Sequence, residues 1–366
     1  MEQTAMNRLI ELFLELVKID ALSKQEAPVN HYIQAFLNEL NLSASEDRAG
    51  VSSNGNSGNL QVRIGNGGNF VILSHMDTAR STKNIKPIVT DDRITSDGTT
   101  ILGADNRAGI ATILFCLEKA FTNNVPIKDF TIAFTIREEL DVFGSQFLVL
   151  PEQIKHGFVF DSSLRPGKFI NKTYGAKGFT TKIHGKASHA GIHPENGISA
   201  IQVAAKAIAT MKLGRVDHET TANIGKFNGG TAINVIPELV ELEGEVRSLK
   251  IPKVDRKIKE IKDVFIKQAS AENATVEFES HWDFKPYEVP ESSFTFQRIT
   301  NALLAVGLKP EPIVSAGGSD ANSLNEKGII TINIGIGAQN PHANNEFILV
   351  EDLINSARIL WELIKK

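Results

Sequence analysis

The sequence predicts an α/β fold with a ferredoxin-like domain inserted into it, and three observations predict it. The runs FVILSH (70–75) and FTIAFTI (130–136) are apolar and rich in β-branched residues, as strands buried on both faces are. Helical-period segments alternate with such strands on either side of them, the pattern of a sheet covered by helices. From about Gly178 the order becomes strand, helix, strand, strand, helix, strand, which is the split βαββαβ unit.

Each element has its own signal. The opening stretch MEQTAMNRLIELFLELVKID spaces its apolar residues as a helix does, and a second helix follows. Asn59 to Ile64 alternates, Asn66-Gly67-Gly68 marks a turn, and FVILSH comes next. After a loop rich in Gly, Asp and Thr, Asn106–Phe121 reads as a helix, then come strand 130–136 and a short strand, Gly157–Phe160. In the insertion, FTTKIHG, Thr221–Phe227, Glu238–Leu249 and ATVEFES read as strands, with Ile198–Met211 and the Lys-rich Val254–Ala271 as helices. Helices near Phe294–Val306 and Asp320–Glu326 then surround the strand IITINIGIG. The last helix aligns Val350, Leu353, Ile354, Ala357, Leu360 and Ile364 on one face. The expected division is residues 1–175 and 287–366 for one domain and 176–286 for the insertion.

A chain of 366 residues suits two domains. Its 42% hydrophobic and 22% charged content is that of a soluble globular protein. A net charge of −4 makes no electrostatic case for nucleic acid or an anionic membrane. Cys116 is the only cysteine, which excludes an internal disulfide and a cysteine-based zinc site. Within ATILFCLEKA it is expected in the core. No basic leader precedes an apolar segment, and no stretch reaches the ~18 apolar residues of a membrane span. A soluble cytoplasmic protein is the expectation.

Polar residues gather where the apolar strands end. FVILSH runs into His75-Met76-Asp77, TIAFTIR into Glu138-Glu139, GFVF into Asp161, and IITINIGIG into a loop holding His342. Asp105 stands ahead of a helix. Ligands of open α/β sheets bind outside the carboxyl ends of the strands, and imidazoles with carboxylates are the donors of a divalent-metal site. Singly, each has a plainer reading: Asp161-Ser162-Ser163 suits a turn, and Asp105 suits a helix cap. Their shared placement favours metal. Asp77, two residues beyond His75, is placed to orient that imidazole. Side chains of adjacent strand residues point to opposite faces, so Glu138 and Glu139 share one site only if the chain turns there. One of them would then bind metal while the other takes a proton from water.

The segments SHMDT, GADNRAG, REELDVFGS, FDSS, KASHAG and NPHANNE, in this order, resemble the di-zinc metallopeptidases that include peptidase T, related carboxypeptidases and aminoacylases. GTTILGADNRAG and EELDVFGS point to the peptidase T branch. The resemblance spans nearly the whole chain and implies a mixed-sheet catalytic domain with a ferredoxin-like lid and dimerisation domain. It implies two zinc ions, with cobalt or manganese as substitutes. His75, Asp105 and Asp161 would hold one, and Asp105, Glu139 and His342 the other. It implies Asp77 as the orienting partner of His75, Glu138 as general base, and a cis bond at Asp105-Asn106. His189 of KASHAG matches a lid histidine that stabilises the oxyanion, from its own or a partner subunit. Asn234, Arg247, Gly318 and Ser319 fall in segments that surround the substrate. For Arg247 the competing reading is an ion-pair ladder with Glu241, Glu243 and Glu245.

The activity implied is release of the N-terminal residue from a short peptide, in the first place a tripeptide, by a homodimer. Alternatives are a deacylase or dipeptidase using the same chemistry, and a catalytically silent dimeric binding protein. A nucleotide site fails because GNGGNF is a hairpin turn with no helix after it. A serine hydrolase fails for want of a GxSxG elbow.

Overall fold

Every side chain of the strands Phe70–His75 and Phe130–Thr135 is buried, and the two lie parallel at the middle of an eight-stranded sheet. His156–Ser162 and Ile330–Gly335 extend this parallel core on one side. Leu60–Ile64 and Ala44–Glu46 add antiparallel strands beyond Phe130–Thr135. Lys168–Thr173, antiparallel to Ile330–Gly335, and Glu311–Ser315 complete the other edge. The four core strands share one direction, so their carboxyl ends share one rim of the sheet.

The computed structural model describes residues 3–366. Helix Ala104–Thr122 packs against both Gln3–Val17 and Val350–Ile364, which explains why it is buried almost all round. Cys116 lies inside it, its thiol against the Ala357 carbonyl at 3.4 Å. Burial pushes that thiol up to about 12. It should therefore resist iodoacetamide at pH 8 in the native protein and react once the chain is unfolded; native alkylation followed by mass spectrometry checks this.

A small sheet carries the last site loop. Its strands Ala338–Gln339 and Phe347–Leu349 form a hairpin, beside Arg93–Thr95 and Ile88–Val89. Residues 340–346 are the hairpin's connection, and His342 sits there with φ 65°.

The chain separates into two compact units. One comprises the chain up to Lys172 with Glu288–Ser315 and Ser319–Lys366; the other comprises Thr173–Tyr287 with Ala316–Gly318. In the second, the strand order is Gly214–Asp217, Thr220–Gly229, Leu239–Ser248, Gly175–His184, Thr275–Phe284, every pair antiparallel. The last four have the ferredoxin-like order. Ala200–Thr210 and Ile251–Ala271 pack against this sheet around Phe179, Ile183, Val240, Leu242, Ile261 and Phe265. Of the described residues, eight strands lie outside the expected set: Ala44–Glu46, Ile88–Val89, Arg93–Thr95, Lys168–Thr173, Gly214–Asp217, Glu311–Ser315, Ala338–Gln339 and Phe347–Leu349. They are short or polar, and Ala44–Glu46, Gly214–Asp217 and Glu311–Ser315 sit at sheet edges, where no apolar alternation is required. Among the described residues no helix is long and apolar enough to cross a membrane.

Candidate metal centre

The turn after Phe130–Thr135 explains the paired glutamates. Arg137 adopts the left-handed conformation, φ 54° and ψ 40°, and the short helix Glu138–Asp141 begins there. The backbone N–H of Glu138 donates to Asp77 Oδ1 at 3.0 Å, and that of Glu139 to Asp77 Oδ2 at 3.2 Å. Ser23 adds its hydroxyl to Oδ2 at 2.6 Å. Helical geometry after the turn lets two consecutive residues project into one region, which a strand forbids.

His75 ends the buried strand and is itself buried. Its Nδ1 faces Asp77, 3.1 Å from the backbone carbonyl and 3.3 Å from Oδ1. Its Nε2 lies 3.0 Å from Asp105 Oδ1 and 3.0 Å from Asp161 Oδ1. The other oxygen of Asp105, Oδ2, lies 3.5 Å from His342 Nε2, which is 2.9 Å from Glu139 Oε2. Asp105 thus has one oxygen toward each histidine.

Neighbours fix these acids. The Asp105-Asn106 peptide bond is cis. The Asn106 amide donates to Asp161 Oδ1 at 2.9 Å and to the Phe160 carbonyl at 2.8 Å. Asn333 reaches Asp161 Oδ2 at 3.3 Å. Gly109 lets the helix approach this closely: a Cβ there would stand 2.4 Å from both the Phe160 carbonyl oxygen and Asn106 Oδ1. Gly109→Ala should therefore cost about 1–3 kcal/mol and loosen Asp161. A lower melting temperature and lower metal content, measured by calorimetry and elemental analysis, are the expected results.

The electrostatics favour a cation. Burial alone would push His75 down, but the charge of Asp161 and bonds to Asp105, Asp161 and Asp77 raise it well above the imidazole range. Bonds to Asp105 and then Glu139 raise His342 to about 10. Burial, then the charge of Asp105, pushes Glu139 up to about 7. Burial also raises Glu138, reinforced by Asp161. Asp105 is held low, the two histidines outweighing its burial, and Asp77 is lowered against its burial by His75, Ser23 and the Glu138 N–H. A buried cluster with this surplus of carboxylate is stabilised by divalent charge.

The donors fit such an ion. His75, Asp105 and Glu139 offer ligand atoms within 4.8 Å of one another. The buried Glu139 Oε1 has no hydrogen-bond partner, leaving it free to ligate. Donors each about 2.0–2.2 Å from one metal stand roughly 3–3.5 Å apart, close to the separations around Asp105. By contrast, among the described residues none donates a hydrogen bond to the Glu138 carboxylate.

His189, Asn234 and Arg247 belong to the second unit. His189 is exposed and bridges to Val235, and the N–H of Ala190 donates to the Asn234 carbonyl at 2.9 Å. These two segments are thus neighbours. Arg247 binds Glu245 through Nε and Nη2, each at 2.9 Å, and donates to the Ala316 carbonyl at 2.8 Å. The pairing is with one member of the acidic ladder. Gly318 lies against the Phe284 ring, where a Cβ would come within 2.5 Å. Ser319, in the first unit, caps helix Asp320–Glu326 and accepts from the Ala321 N–H.

Several buried groups around the site have structural roles that the motifs did not reveal. Glu346 accepts from the N–H of Gly103 at 2.7 Å and of Asp105 at 3.1 Å. Asp320 accepts from the Thr135 hydroxyl at 2.5 Å. Arg107 donates to the Met76 carbonyl at 2.5 Å. Glu26 accepts from the Arg137 N–H at 3.0 Å. Glu346 and Arg107 stand inside quoted motifs, and only burial distinguishes them from surface charges.

A profile of the peptidase dimerisation domain matches residues 171–273. A Staphylococcus aureus tripeptidase structure is 34% identical, covers 98% of each chain and superposes with a TM-score of 0.93. The aminopeptidase PepT of Bacillus cereus is 33% identical over 98% of this chain and 97% of its own, with a TM-score of 0.90. Peptidase T of Vibrio cholerae is 23% identical over 99% of this chain and 98% of its own.

Proposed function

The chain belongs to the M20 metallopeptidase family, among the relatives of peptidase T, and we propose that it hydrolyses the first amide bond of tripeptides. The carrying observation is Asp105, one oxygen toward His75 and the other toward His342, with the unbonded Glu138 carboxylate beside them. His75, Asp105 and Asp161 would hold one divalent ion, and Asp105, Glu139 and His342 a second. Zinc is the proposed metal, and cobalt and manganese suit the same donors. Bound there, the ions would supply Lewis acidity and positive charge for the developing oxyanion.

The residues divide the rest. Glu138 takes a proton from the attacking water and delivers it to the leaving amine, as the C–N bond breaks and a carboxylate forms. Its freedom from hydrogen bonds supports this role. Asp77 holds the His75 imidazole and both glutamate N–H groups, so ligand and base keep one geometry. On the sequence resemblance, His189 stabilises the oxyanion, from its own or a partner subunit. Arg247, Asn234, Gly318 and Ser319 surround the peptide, with Arg247 exchanging Glu245 for the peptide carboxylate.

The same reading makes the protein a cytoplasmic homodimer joined through the second unit. The strand Thr220–Gly229 supports this: Gly214–Asp217 pairs only with Thr220–Ala222, and the exposed remainder includes Phe227. Light scattering should give twice the chain mass.

A mixture of dipeptides, tripeptides, tetrapeptides and N-acetyl amino acids, offered to the zinc-loaded protein, tests the substrate. Loss of the N-terminal residue from tripeptides alone is the expected result. Cleavage of acyl amino acids or dipeptides only would replace the substrate and keep the chemistry.

A further inference from the structure

We propose that Glu26 is a positioning residue for the turn that carries Glu138 and Glu139. Its role rests on the function proposed above. Glu26 is fully buried and immediately precedes helix Ala27–Glu39, yet its side chain does not cap that helix. Instead, Oε1 accepts two backbone N–H groups, from Lys24 at 2.8 Å and from Arg137 at 3.0 Å. Arg137 is the left-handed residue that redirects the chain out of the central strand. The next two N–H groups belong to Glu138 and Glu139, and both go to Asp77. Three consecutive amides of the turn therefore end on two buried carboxylates, one from the N-terminal loop and one from the segment just after strand Phe70–His75.

The arrangement is demanding. Burial and the neighbouring Asp77 charge push Glu26 up to about 7, and Oε2 has no hydrogen-bond partner. The Arg107 guanidinium, buried nearby and within the fields of Asp77 and Glu26, supplies the countercharge. Removing the Glu26 acceptor leaves the Arg137 N–H unpaired and lets the turn relax. Glu138 and Glu139, the next residues, would then lose their aim together. A carboxamide has the same reach and keeps the acceptor, whereas an alanine does not.

Three readouts test this on the full-length protein. Glu26→Ala should lower kcat for tripeptide cleavage by about 10–100-fold, the range for partners that orient metal-site groups, and leave KM within about threefold. Cobalt titration followed by visible absorption should show a comparable loss of affinity for the second ion, because Glu139 is its proposed ligand. Glu26→Gln should recover both within about threefold. The proposal is overturned if Glu26→Ala only lowers the melting temperature, with kcat and second-ion affinity kept. It is also overturned if Glu26→Gln loses as much as Glu26→Ala, since charge and not the acceptor would then matter. Should the alanine variant fail to fold, Glu26→Asp, one methylene too short, replaces it with the same expectations. If the wild-type protein cleaves no peptide, the proposed function fails, and the cobalt titration still decides the role of Glu26.

Discussion

Replacing Glu138 with alanine should lower kcat by about 10²–10⁴-fold while both metal ions remain bound. The expectation follows from the difference between two adjacent residues. Glu139 Oε2 lies 2.9 Å from His342, and its second oxygen is buried without a partner, as befits a ligand. Glu138 faces the same cluster, yet its nearest influences are charges rather than bonds: burial, then Asp161, raise it, and His75 opposes them. Such a group can exchange a proton with water beside it. KM should change little, because the carboxylate acts in the transition state rather than in holding the peptide. Steady-state kinetics with metal analysis of the same sample checks both halves. Loss of metal in this variant would make Glu138 a ligand.

Asp105→Ala should have the wider effect, because it removes one oxygen from each proposed ion. Affinity should fall by more than about 100-fold at both positions, beyond the effect of losing an orienting neighbour. Peptidase activity should be undetectable and not restored by excess zinc. His342→Ala provides the contrast: it should weaken one ion and spare the other. Equilibrium dialysis with zinc distinguishes the two patterns. Two ions retained by Asp105→Ala would show that the histidines do not share this carboxylate.

Much of this site was legible in the chain because ligand-type residues stand where buried strands end. His75, Asp161 and the glutamate pair needed only the apolar runs before them. Asp105 and His342 were marked by the same placement, one ahead of a helix and the other in the loop after IITINIGIG, and the motif resemblance added only how the ligands divide between two ions. The structural roles of Glu26, Glu346 and Asp320 were not legible. Each is a lone acid whose partner lies far away in sequence, Glu26 from Arg137 by 111 residues and Glu346 from Asp105 by 241. No local periodicity encodes such contacts. The same reason hid the strands Lys168–Thr173 and Gly214–Asp217, whose neighbours rather than their own patterns make them strands. The ferredoxin-like order was readable because its four longer strands and two amphipathic helices each carry a strong period.

The most direct test of the whole account is a crystal structure of the zinc-loaded protein, with the metals located by anomalous scattering. Two peaks are expected about 3.5–4 Å apart, with Asp105 between them. His75 and Asp161 should lie on one side, Glu139 and His342 on the other, and Glu138 should be bound to neither ion. A single peak, or a Glu138 oxygen within bonding distance of a metal, would contradict it.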